Sequence, residues 1–443
     1  MYNIFLSNIK ILLFYAAISV CIVLSIFIKP LVYCALLLLL LFFSTESIKN
    51  NICLIVAIIP FANVFKLSPS STSFLSIVEI ALITLCLIKG NRISGYTIFG
   101  IILFTFFALL QISLGCSCSL SFFFKHIIRF LFLSFAIKYS DLECLIKACY
   151  LFSISLLLSG VLSRNEYYYS SALPYLVEIT ELISGETIFR QSALYRDPNY
   201  YGLSIIMLLS MLMVLYDFNK ERLIFWFTAP FLLFLGITTY SKSFFLTSVF
   251  LVFYFVIFVL RRKNLFVFML TSIIIIFVAF QAVNHQYDNI NVIYERFFVH
   301  EITTGRIDIN SYYIDHLLNN KSILLFGAGI SASPLPIIER VPHNFIIDCF
   351  YRIGLIGLFI YISSIILCLS VESFGNLLLH KRKSQYLPLL CFFLQYSSLA
   401  GLNSFDFYYY IFFVFASLKL DPINSSDHLS SITINKSLTS YSS

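Results

Sequence analysis

Residues 96–137 read YTIFGIILFTFFALLQISLGCSCSLSFFFKHIIRFLFLSFAI. Two apolar runs, 96–114 and 119–137, flank a turn of small residues that begins at Gly115. Each run comes close to the roughly 20 apolar residues, with a range of about 17–25, that a helix needs to cross a bilayer core. Hydrocarbon offers no partner to backbone N–H and C=O groups, so an apolar run of this length must satisfy them internally as a helix. The stretch predicts a transmembrane helical hairpin.

Outward from it the pattern repeats along the 443 residues. Further apolar runs lie at 11–28, 31–44, 52–65, 73–88, 145–163, 199–216, 223–239, 244–260, 264–282, 346–371, 386–400 and 405–420. The runs at 31–44, 52–65 and 386–400 are short. The expectation is an all-α polytopic membrane protein with about twelve to fourteen transmembrane helices. Composition points the same way: 60% of residues are hydrophobic and 12% charged, against about 25% charged in an average soluble domain. Phe (49) and Tyr (28) are abundant, as suits a lipid-facing surface with aromatic belts. The first run has no small-x-small site before Lys29-Pro30 and reads as a retained helix, not a cleaved signal.

The formal charge of +7 does not form one basic face, which argues against nucleic acid as a partner. It sits in short clusters between apolar runs. With the N-terminus inside and strict alternation through fourteen runs, the inner side receives Lys10, Lys49, Lys89, Arg92, Lys138, Lys220, Arg222, Arg261, Arg262, Lys263, Lys381, Arg382 and Lys383. The outer short loops receive Lys29, Lys66 and Lys242. Such a bias predicts both termini in the cytoplasm. Residues 1–420 then form a single integral membrane domain with two larger periplasmic loops, about 164–198 and 283–345. The Ser- and Asn-rich tail, 421–443, is expected to be disordered and cytoplasmic.

Polar residues on the outer face are the informative ones, because ionisable groups near a membrane are costly and usually functional. The first constellation runs Arg190-Gln191-Ser192-Ala193-Leu194-Tyr195-Arg196-Asp197-Pro198-Asn199-Tyr200-Tyr201-Gly202. Asp197 followed by Pro198 reads as an N-cap and first helical position. The free amides and positive dipole end there make an anion site, with Arg190 and Arg196 beside it. The alternative is that both arginines anchor a span at the headgroups. The second constellation, Thr239-Tyr240-Ser241-Lys242-Ser243, places a lone cation on the side that the charge bias avoids; interfacial snorkelling is its plain alternative.

In the large loop, Thr304-Gly305-Arg306 precedes a stretch whose apolar positions 307, 314 and 317/318 predict a surface helix capped by Thr304. Gly327-Ala328-Gly329 reads as a flexible turn; without a strand and helix around it, it is no dinucleotide fingerprint. Pro342-His343-Asn344 is followed nine residues later by Gly354-Leu355-Ile356-Gly357. Pro342 predicts a helix start with His343 in its first turn, where the dipole keeps imidazole neutral and able to accept a proton. Capping is the competing role. The eleven cysteines mostly fall in apolar runs and behave as small hydrophobes. The chain has no DxD, HExxH, P-loop or GxSxG motif, so no metal and no cofactor is expected.

In their order, these elements resemble the bacterial O-antigen polymerase and O-antigen ligase superfamily. They are an Arg with DPN-x-x-G (Arg196 to Gly202), a TxSKS-like turn (Thr239 to Ser243), TGR (Thr304 to Arg306), GxG (Gly327 to Gly329) and HN-x9-GxxG (His343 to Gly357). They cover roughly the C-terminal half, and the first half matches in hydropathy. The resemblance implies a GT-C-like, metal-independent glycosyltransferase of the bacterial inner membrane. Its donor would be an undecaprenyl-diphosphate-linked oligosaccharide, with a flippase and a chain-length regulator as pathway partners. Carried over, Arg196 and Arg306 become diphosphate ligands, Arg190 and Lys242 their supporters, and His343 the general base. The DPN-Tyr-Tyr-Gly element favours a polymerase over a ligase that transfers glycan to lipid A-core. A flippase for the same lipid-linked glycans is a third reading, though it would show two related halves.

Overall fold

The computed structural model describes residues 2–176, 180–183, 186–195, 197–218, 222–259, 306–336, 338–368, 382–399 and 406–420. The chain opens with α1 (Tyr2–Leu24), α2 (Leu31–Thr45), α3 (Ile48–Ile58) and α4 (Leu75–Ile88). The predicted hairpin follows as α5 (Gly95–Ser113) and α6 (Leu120–Tyr139), then α7 (Leu142–Leu162) and a short α8 (Glu166–Ala172). A small antiparallel pair, β1 (Thr180–Ile183) with β2 (Glu186–Phe189), precedes α9 (Pro198–Asp217), α10 (Arg222–Ile237) and α11 (Lys242–Tyr254). The last described helices are α12 (Arg306–Asn319), α13 (Lys321–Phe326), α14 (Phe345–Cys368), α15 (Leu387–Tyr396) and α16 (Phe407–Lys419).

The architecture is thus predominantly helical, and α5, α6, α7, α9 and α14 are each long and apolar enough to cross a membrane. Side-chain N-caps set several starts: Ser47, Ser94, Asp141, Asp197 and Ser241 each accept a bond from an amide in the following turn, meeting donors that the helix leaves open. The expected run 52–65 is helical only in its first half. Pro60 lies in the 3₁₀ turn Ile59–Phe61 after α3 ends at Ile58, because proline cannot supply the next helical N–H. The expected loop 164–198 carries α8 and the β hairpin. The run 264–282 and the tail 421–443 lie outside the described residues.

α9 is the axis of the bundle. Every residue from Tyr201 to Tyr216 is buried, and α7, α10, α11, α15 and α16 pack around it. A helix apolar on all sides must be surrounded. Peripheral helices face outward with apolar groups instead: on α5, Phe99, Ile102, Phe106 and Leu109 are exposed, while Phe104, Phe107 and Gln111 are buried. An outward apolar stripe on a long helix suits hydrocarbon and is foreign to a soluble surface.

Contacts sort the helix ends into two groups. At one end Lys10 pairs with Glu46 at 2.6 Å, Lys49 with Asp141, and Lys89 donates to the Glu46 carbonyl. Lys419 donates to the carbonyls of Ile137 and Ser140 there, and Arg382 to that of Asp217. At the other end Lys29 meets Tyr175, Asn63 donates to the Leu194 carbonyl, and Asn344 to that of Ser397.

Candidate functional site

The second end holds the motifs. Asp197 caps α9 as expected: its Oδ1 accepts from the Asn199 backbone amide at 2.7 Å, with Pro198 in the first position. The same oxygen takes the Asn199 side-chain Nδ2 at 2.8 Å. This orients Asn199 so that its Oδ1 accepts from Arg190 at 3.3 Å and from the Ser241 hydroxyl at 2.7 Å. Arg190 also donates its Nε to the Thr239 carbonyl at 3.1 Å. The DPN element and the Thr239–Ser243 turn are therefore one hydrogen-bonded unit, although about 40 residues separate them.

Two non-glycine residues of this unit adopt left-handed backbone, Ala193 (φ 50°) and Tyr240 (φ 49°). Such positions cost of order 1–3 kcal/mol and persist where surroundings over-determine them. Gln191 supplies part of that constraint. Its side chain donates to the Gly160 carbonyl at 2.8 Å and accepts from Thr238 at 2.5 Å, tying the motif to the ends of α7 and α10.

Four of the expected residues converge here. Arg306 opens α12, lies 3.5 Å from the Ser398 carbonyl, and is within electrostatic reach of Arg190, Lys242 and Asp197. Its guanidinium is also felt by His343. Burial, then the neighbouring Arg190, weakens the hold of Arg306 on its proton; burial, then Arg306, does the same at Lys242. Arg190 is 4% exposed, and its pKa is lowered by burial against an opposing pull from Asp197. Crowded cations in a partly dry site create a demand for an anion. Arg196 and Thr304 lie outside the described residues.

His343 differs in detail from expectation. α14 begins at Phe345, and its cap is Asn344, whose Oδ1 accepts from the amides of Ile346 and Ile347 at 2.9 and 3.2 Å. His343 therefore precedes the cap and does not sit in the first turn. Its backbone amide donates to Asn310 of α12 at 3.1 Å. The imidazole pKa is lowered chiefly by burial, then by Arg306. The direction is the one expected, with burial and Arg306 as its causes.

The face of α12 is corrected in part. Of the expected positions Leu317 is buried, beside Ile309 and Tyr313, whereas Ile307, Ile314 and Leu318 are exposed. Tyr313 packs edge-on against Tyr351 with ring centres 4.9 Å apart, which turns the Ile309 stripe inward.

The GxG and GxxG elements close on each other. α14 is broken at Gly354 (φ 66°, ψ −178°). The break turns the Tyr351 and Arg352 carbonyls toward Ala328 and Gly329, whose amides donate to them at 2.7 and 3.0 Å. Gln111 of α5 donates to the Arg352 carbonyl too, at 2.9 Å, and to that of Phe326 at 2.7 Å. A Cβ on Gly327 would lie 2.3 Å from the Arg352 oxygen, and one on Gly354 would lie 2.5 Å from Leu325 backbone. The Gly327–Gly329 turn is a docking joint more than a free hinge.

A polar interior beside this site carries residues to which sequence reasoning assigned no role. A cavity of about 470 Å³ is bordered by Glu79, Lys125, Arg129, Asp348, Arg352 and Asp406, among others. Asp348 and Arg352 pair at 2.7 Å one helical turn apart, 2% and 10% exposed. Glu79 accepts from Tyr409 at 2.6 Å, and His126 Nδ1 lies 2.7 Å from the Tyr408 hydroxyl. The available signal was charge inside an apolar run, which is rare without a purpose. Comparison of the chain with protein-family models, curated proteins and solved structures finds no match, so the functional reading stands on these residues.

Proposed function

We propose that the chain is a glycosyltransferase of bacterial envelope assembly, of the O-antigen polymerase kind, acting at the periplasmic face of the inner membrane. In this reading both termini are cytoplasmic, and the end carrying Lys10, Lys49, Lys89 and Arg382 is the cytoplasmic one. The observation that carries the proposal is the gathering of Arg190, Lys242, Arg306 and His343 at one end of an apolar bundle.

The chemistry matches that inventory. The donor is a glycan joined through its anomeric carbon to a polyprenyl diphosphate. An acceptor hydroxyl gives its proton to the neutral His343 ring as its oxygen bonds to the anomeric carbon. The bond from that carbon to the diphosphate oxygen breaks, and negative charge grows on the leaving group. Arg306, with Arg196 as the resemblance assigns it, neutralises that charge, and Arg190 and Lys242 add to the field. Guanidinium forks suit phosphate oxygens because two parallel N–H bonds match their geometry.

The acceptor is another lipid-linked repeat unit. The test is a gel of surface lipopolysaccharide from a strain lacking the gene. A polymerase leaves core carrying a single repeat unit. A ligase leaves bare core and accumulates lipid-linked glycan, and unaltered long chains overturn both assignments.

A further inference from the structure

The cavity of about 470 Å³ lies within the range of small-ligand sites, about 300–1,000 Å³. Its walls combine three carboxylates, Glu79, Asp348 and Asp406, with cations and a run of hydroxyls at Ser71, Thr72 and Ser73. Asp406 is 2% exposed, and its Oδ1 has no hydrogen-bond partner among the described residues. It stands at the N-cap of α16 yet makes no side-chain bond to that helix. A buried polar oxygen left unbonded is costly, so a partner beyond the described residues is called for.

The wall chemistry selects among partners. With Asp348 paired to Arg352 and with Lys66, Lys125 and Arg129 on the same walls, the cavity carries both signs, and so many charges would disfavour a lipid tail. A sugar fits both signs at once: its hydroxyls donate to carboxylates and accept from Lys and Arg, while Tyr195 and Tyr200 offer aromatic faces. The position fits as well. Val341, two residues before His343, lines the cavity. Tyr200 lies within electrostatic reach of both Asp197, in the cation cluster, and Asp406.

We infer that this cavity receives a sugar of the glycan and that Asp406 accepts a hydrogen bond from one of its hydroxyls; the inference rests on the glycosyl-transfer reading above. Binding is measured on the full chain in lipid nanodiscs with two probes. One is undecaprenyl diphosphate alone, and the other is the undecaprenyl-diphosphate-linked repeat unit extracted from the strain lacking the gene. Wild-type protein should hold the glycan-bearing carrier more tightly than the bare one. Asp406→Asn, which keeps size and replaces an acceptor oxygen with a donor amide, should weaken the glycan-bearing carrier about tenfold or more and leave the bare carrier unchanged. Should Asp406→Asn also lose the bare carrier, Ser76→Phe, which narrows the cavity from another wall, decides by the same comparison. Equal wild-type affinity for both carriers, or a glycan preference that survives both substitutions, would overturn the sugar site. Binding of neither carrier would overturn the glycosyl-transfer reading itself, and the sugar site with it.

Discussion

The Arg190 guanidinium donates to Asn199 Oδ1 at 3.3 Å, and that oxygen simultaneously takes the Ser241 hydroxyl at 2.7 Å. One amide oxygen thus joins the loop before α9, the first turn of α9 and the turn before α11. The arrangement fixes Arg190 through its neighbours, with Arg306 and Lys242 close by at the edge of the unit.

Arg306→Ala should abolish polymer formation while the protein still inserts, and Arg196→Ala should do the same. Lysine at either position should restore activity only in part, since an ammonium is a point charge without the planar fork. Polymer ladders on gels, with membrane immunoblots for insertion, measure this. Full activity of both alanine variants would reduce these arginines to interfacial anchors.

The His343 pKa is depressed, so its pH dependence has a definite sign. The unfolded chain takes up this proton near pH 6.5, whereas the folded ring does so at lower pH because of burial and Arg306. Stability from this group is fully present above about pH 6.5 and is lost as pH falls from there toward the folded value. Activity should fall on the acid side with a midpoint below about 6.5. His343→Ala should cost roughly 10²–10⁴-fold in rate. His343→Gln, which can donate a hydrogen bond but cannot act as a base near neutrality, should be equally impaired; near-normal turnover would make His343 a positioning residue.

Gly354→Ala and Gly327→Ala should each destabilise by about 2 kcal/mol or more, because left-handed backbone alone costs a residue with a Cβ roughly 1–2 kcal/mol. The added atom would also lie 2.5 Å from Leu325 backbone or 2.3 Å from the Arg352 oxygen. Gly90→Ala is the control: its φ is likewise positive, at 78°, but nothing lies within 4 Å of the new atom. Thermal denaturation in detergent should separate the first two from the third; an equal loss in all three would leave the backbone joint without energetic weight.

Reporter fusions after Asn284 and near Ala328 should behave as periplasmic, and those after Lys263 and Lys383 as cytoplasmic. The charge distribution motivates this, and a cytoplasmic signal at residue 328 would remove the proposed reaction from its substrate.

Much of the architecture was legible in the amino acids because a bilayer is a uniform solvent that reads hydropathy locally. The α5–α6 hairpin and the Asp197-Pro198 start of α9 needed nothing from distant residues. The faces of α12 were different. Ile307, Ile314 and Leu318 form one apolar stripe and Ile309, Tyr313 and Leu317 another, and both have helical spacing. Only the seat against Tyr351 decides which is buried. Pro342 pointed to a start of α14 that is too early: the Asn344 oxygen bonds the Ile346 and Ile347 amides and makes Asn344 the cap. The cavity lay beyond sequence altogether, since Glu79, Arg129, Asp348 and Asp406 come from four separate elements of the chain. A charge inside an apolar run announces that a partner exists, but the partner is chosen by helix packing, which has no local signature.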